Sequence, residues 1–174
     1  MEGEIEKRFI RFLQINKYIP PGKCAVFNLM QRKLKDTDNI LTNLYDRLFC
    51  IIDTDRLSVD ELTNLTSNIR KLKEITTKPI YLSPQTLNFE DELRYISGNN
   101  DLHNLIGCKY SGTTEVKRVL AQKVDYNKII ENLDVERYCC KTEIFNKALL
   151  QQGFTMPSNV IISSIVLKGK NRHK

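Results

Sequence analysis

The chain has 174 residues with 41% apolar and 28% charged, enough for one domain with a substantial core, which excludes wholesale disorder. The absence of Trp, with only seven Gly and five Pro, argues against a many-turned sandwich or barrel, and no run approaches the ~20 apolar residues of a membrane span. The net charge of +6 is uneven: residues 1–108 carry 15 Lys/Arg against 15 Asp/Glu and residues 109–174 carry 12 against 6, so the excess lies wholly in the second part and points to an anionic partner.

The chain opens with Glu2, Glu4 and Glu6 where a secretory leader would be basic, so an intracellular setting, nucleus or cytoplasm, is expected. Ile5, Phe9, Phe12 and Leu13 recur at helical spacing and predict a helix over about residues 3–18, stopped by Pro20 and Pro21. Phe27, Met30, Leu34, Thr37, Leu41, Leu44, Leu48 and Ile51 then alternate by three and four. That spacing predicts one helix over residues 24–52, or two with a break at 35–39. Leu62, Leu65, Ile69 and Leu72 repeat it, behind a Ser58-x-x-Glu61 capping box. Two seams joined by about five residues predict an antiparallel helical hairpin within residues 1–78. Leu41, Leu44, Leu48, Leu62, Leu65, Ile69 and Leu72 are its candidate surface for another subunit or a second copy.

Between the seams stands Asp53-Thr54-Asp55. A calcium loop starting at Asp53 fails, because Leu57, Ser58 and Asn64 occupy positions that need a ligand, a glycine and a bidentate Glu. A metal-dependent phosphoryl-transfer site needs both carboxylates at a strand end in a parallel sheet, and the leucine spacing argues for helices instead. The triplet therefore reads as an interhelical turn. No catalytic residue, metal ligand or cofactor is expected, and the protein is read as non-enzymatic.

Residues 79–112 read as a connecting segment, with a short strand at 79–82 and a short helix at 88–96 ended by Gly98. Gly107 and Gly112 have the spacing of a phosphate loop, but the Lys and the preceding strand are missing. His103 and His173 have no nucleophile motif around them, and five cysteines without a C-x-x-C pair read as free thiols.

In residues 113–174, Val116, Val119, Leu120 and Val124 predict one helix and Ile129, Ile130 and Leu133 another. A third is predicted over 135–152, with Ile144, Phe145, Ala148 and Leu149 inward and Gly153 as its stop. The β-branched run at 160–167 predicts a strand that must pair with 79–82, with its own copy or with another protein's sheet edge. Helices, strand and basic tail follow the order of winged-helix modules. On that reading Lys141 and Lys147 lie on the groove-facing helix, and Lys168, Lys170, Arg172 and Lys174 contact phosphates.

The expected fold is mainly α: a helical hairpin or bundle with a smaller basic helical part ending in a strand. The expected function is a non-catalytic subunit or adaptor of an intracellular assembly, associated with nucleic acid through its basic part, with no membrane and no small-molecule cofactor. Direct DNA or RNA binding is the alternative. In length and helix density the chain also resembles small helical viral regulators, without a shared motif.

Overall fold

The computed structural model describes residues 3–35, 46–98, 102–107, 113–122, 125–158 and 160–163. Its centre is a parallel sheet of β1 (Leu48–Ile52), β2 (Ile80–Pro84) and β3 (Val160–Ile162), in the order β1-β2-β3. Leu48 pairs with Ile80 and Ile52 with Pro84, while Ile80 pairs with Val160 and Leu82 with Ile162. The helices are α1 (Glu4–Ile15), α2 (Val59–Ile75), α3 (Phe89–Ser97), α4 (Leu102–Ile106), α5 (Thr113–Gln122), α6 (Tyr126–Ile129) and α7 (Thr142–Gln151). Short 3-10 turns at Ile130–Asn132 and Val135–Arg137 link the last two.

The mainly α expectation is therefore corrected: about 50% helix and 10% strand, with helices alternating around a parallel sheet, make an α/β arrangement. Successive side chains of a strand point to opposite faces. Accordingly Cys50, Ile52, Ile80 and Leu82 pack with Leu62, Leu65, Ile69 and Leu72 of α2 and Phe145 and Leu149 of α7. Phe49 and Ile51 instead join Phe9, Ile10 and Leu13 of α1 and Phe89, Leu93 and Ile96 of α3. A sheet covered on both faces wants apolar residues at consecutive strand positions, and "LFCII" is such a run.

The expected helix over 24–52 and the hairpin built on it do not form. Leu48 and Ile51 belong to β1, while Leu41 and Leu44 lie outside the described residues. Leu29 and Met30 are both buried, in a segment that forms only turns and bends. Asn28 Oδ1 accepts from the amides of Met30 and Gln31, closing a local turn that competes with helix. Asn68, buried on α2, holds this irregular segment: its Nδ2 donates to the carbonyls of Leu29 and Arg32, and its Oδ1 accepts from Leu34 N–H.

Other expectations meet the structure more closely. α1 occupies the predicted segment, and α2 begins at Ser58 and Glu61, whose side chains each accept from the other's backbone amide. α3 ends at Gly98 in the left-handed region (φ 63°). The strand at 160–167 is described only to residue 163, and it pairs with β2. The helix predicted over 135–152 starts only at Thr142; Phe145 and Leu149 are buried, whereas Ile144 is exposed.

Candidate functional site at the carboxyl edge of the sheet

In open parallel α/β sheets ligands bind beyond the carboxyl ends of the strands, in the crevice where the strand order reverses. The described order β1-β2-β3 contains no reversal, so this edge is a candidate on the chemistry of its loops alone. The loop leaving β1 is Asp53-Thr54-Asp55. Asp53 is half-buried with Oδ1 shielded from solvent, Thr54 is buried and Asp55 is exposed. The loop leaving β2 runs from Gln85 to Asn88, whose side chain caps α3 by accepting from Asp91 N–H.

The two loops are latched together. Thr54 Oγ1 donates to Gln85 O at 2.8 Å and accepts from Leu87 N–H at 3.1 Å. The amides of Thr54 and Asp55 both donate to Leu87 O, and Gln85 N–H donates to Ile52 O. Leu87 takes a left-handed backbone (φ 59°) although its side chain is 44% exposed. A leucine in that region costs about 1–2 kcal/mol, which the two amides on its carbonyl offset.

Behind the latch lies Glu92 of α3, fully buried. Its carboxylate accepts from Thr86 N–H and from Cys139 N–H, each at 2.5 Å, so one side chain ties the β2 loop to the segment before α7. Burial pushes its pKa above the ordinary carboxylate range, against the pull of those two amides and of the nearby Lys141 charge. Gln85 Nε2 donates to Tyr138 Oη at 3.0 Å, fixing the same segment a second time. Cys139, like Leu87, is a non-glycine residue with positive φ (55°). Burial and then the Glu92 charge push its thiol far up, and Asp53 adds to the same shift. The charges of Asp53 and Glu92 therefore both bear on one buried point.

The outer surface of the segment carries Asp134 and Glu136 as well as Arg137 and Lys141, and the two cations converge on one ring. The Arg137 guanidinium lies 4.2 Å and the Lys141 ammonium 4.0 Å from the centre of the Tyr95 ring, on the α3 turn that follows Glu92. Asp134 N–H donates to Ile96 O at 2.6 Å, so the segment follows α3 along this length.

Among the residues singled out by sequence, Lys141 belongs to this surface and Lys147 is exposed on α7. Lys168, Lys170, Arg172 and Lys174 lie outside the described residues. Leu62, Leu65, Ile69 and Leu72 are buried against the sheet inside the chain, and Leu48 is half-buried on β1. Thr54 enters the sequence reading only as the middle of the acidic triplet, and Gln85, Glu92, Tyr95, Arg137 and Tyr138 do not enter it. The one available signal was an apolar five-residue run ending in a polar loop, which occurs at β1 and again, less purely, at β2.

The fold and this edge define an open parallel α/β protein with an acidic strand-end loop. No protein-family model, curated protein or solved structure matches the chain.

Proposed function

We propose that the protein is a divalent-cation-dependent enzyme of phosphoryl transfer, working on a phosphate ester at the carboxyl edge of the sheet. One observation carries this reading: Asp53-Thr54-Asp55 leaves the carboxyl end of a parallel strand, the context the triplet lacked while it was read as a turn between helices. Asp55 is exposed at this edge, whereas Glu90 of α3 is buried and Asp91 is paired with Arg94, so the acidic character of the edge rests on the β1 loop.

Among the described residues no three His, Cys, Asp or Glu side chains converge on a metal-sized space. A magnesium-type cation needs only one or two protein carboxylates and fills its remaining positions with water and substrate phosphate oxygens. Asp53 and Asp55 would hold it, and its chemistry there is to neutralise charge on the phosphoryl oxygens. The Thr54 latch keeps the backbone between the two carboxylates fixed, and Glu92 keeps the β2 loop against it.

The test is hydrolysis of bis-p-nitrophenyl phosphate and of labelled oligonucleotides with Mg²⁺ or Mn²⁺. Asp53→Asn and Asp55→Asn should each lose about 100-fold or more of the metal-dependent rate while staying folded. Mg²⁺ at ten times its Kd should stabilise the wild type by about 1.4 kcal/mol and leave the double variant unchanged. Equal rates and equal stabilisation in both proteins would remove the reading.

A second reading, a non-catalytic nucleic-acid-associated subunit, is favoured by exposed Lys141 and Lys147 and by the positive excess of residues 109–174. On it the Asp53 and Asp55 variants keep every function, and pull-down with and without nuclease separates protein partners from nucleic acid.

A further inference from the structure

We infer that Arg137 and Lys141, seated on Tyr95, form a phosphate clamp that holds the backbone of a nucleic acid beside the carboxyl edge. The inference rests on the reading of that edge as a phosphate-handling site and names its substrate class.

Both charges lie within 4.2 Å of one ring centre, so they are no more than about 8 Å apart. Two like charges at that separation repel; among the described residues no carboxylate lies within ion-pair distance of either, and Asp134 acts on Arg137 only from farther off. Successive phosphates of one polyanion can contact both charges whichever face of the ring each occupies. The site is built in advance: the Tyr95 ring fixes both side chains, and the backbone between them is pinned by Cys139 N–H on Glu92 and by Tyr138 on Gln85.

Cys139, between the two cations in sequence, donates its amide to Glu92, which also accepts from Thr86 N–H, and this places the clamp segment next to the β2 loop. A polyanion fits better than a single phosphate, because the positive excess runs through residues 109–174 rather than ending at these two groups. The ring is already engaged by cations, so its role is to position charge; the contacts are to phosphates and independent of base sequence.

The experiment is fluorescence anisotropy with the full chain and a labelled 20-mer duplex, in EDTA so that binding is read apart from metal chemistry. The wild type should bind with a log–log salt slope that becomes shallower by about 1.8 in Arg137→Ala/Lys141→Ala, the loss of two phosphate contacts. The weakening should be alike for unrelated sequences. Arg70→Ala, which removes one exposed positive charge from α2 on the other face of the sheet, should leave the slope within about one contact of wild type. Tyr95→Phe keeps the ring and should retain binding, whereas Tyr95→Leu should weaken it with the net charge unchanged.

An unchanged slope in the double variant overturns the clamp, as does undetectable binding by the wild type at low salt. Loss of inorganic-phosphate binding with duplex binding intact overturns the nucleic-acid assignment. Salt-dependent binding that fails with the double variant, alongside Mg²⁺ responses identical in wild type and the Asp53 and Asp55 variants, keeps the clamp and removes only the catalytic reading.

Discussion

At the scale of single residues, Glu92 shows how burial and hydrogen bonding compete. Two backbone amides favour its ionised form, yet desolvation is the larger influence and its pKa is raised. A carboxyl whose pKa is higher folded than unfolded binds protons more tightly in the native state. Its contribution to stability is complete below the unfolded carboxylate range, near pH 4.3, and is lost as pH rises through the raised native value. Glu92→Gln cannot titrate, and it presents an NH₂ to one of the two amides, costing about 1–3 kcal/mol. The stability difference between wild type and variant, from urea titrations at several pH values, should therefore grow as pH falls from 7 towards 4.5. A difference that shrinks over that window would contradict this account of Glu92. Nothing in the local sequence marks the residue, since "NFEDEL" reads equally well as an acidic first turn on a solvated face. Its partners, Thr86 and Cys139, are brought together only by the fold.

At the scale of elements, the helix boundaries that rest on local chemistry were legible in sequence. The capping box at Ser58 and the left-handed glycine stop at Gly98 depend on residues within a few positions of the backbone groups concerned. Residues 24–35 were not legible, because their carbonyls are satisfied from α2, more than thirty residues away. Asn68→Ala removes the three hydrogen bonds that Asn68 makes to this segment, leaving those of Asn64 and Lys71, and strips partners from the buried backbone groups of Leu29 and Leu34 and the part-buried carbonyl of Arg32. The expected loss is about 2–4 kcal/mol by denaturant unfolding, well beyond what a surface Asn→Ala change costs. Asn68→Asp should do no better, since a carboxylate cannot donate to the two carbonyls.

At the scale of the whole molecule, the same leucines have opposite meanings in two architectures. As an exposed hairpin seam, Leu65 is a docking residue whose loss leaves the free protein intact. In the structure it is completely buried between α2 and the sheet, so Leu65→Ala should cost about 2–5 kcal/mol of stability in the purified protein. A melting temperature unchanged by that substitution would favour the seam. The sheet also changes what the acidic triplet can do: a turn between helices faces open solvent, whereas the carboxyl edge of parallel strands gathers the β1 and β2 loops on one side.

By itself the sequence determined the first helix, the capping box and the glycine stop, the strand-forming runs at 79–82 and at the start of 160–167, and the charge excess of residues 109–174. Each of these is a property of neighbouring residues, through side-chain periodicity, capping or net charge. Only the tertiary structure decided that "LFCII" is a strand rather than the end of a helix, because a short apolar run suits either and the choice depends on a partner strand thirty residues on. It likewise decided that Tyr95, Arg137 and Lys141 share one surface, because long-range packing of the 134–141 segment along α3 brings them within about 4 Å of a common ring.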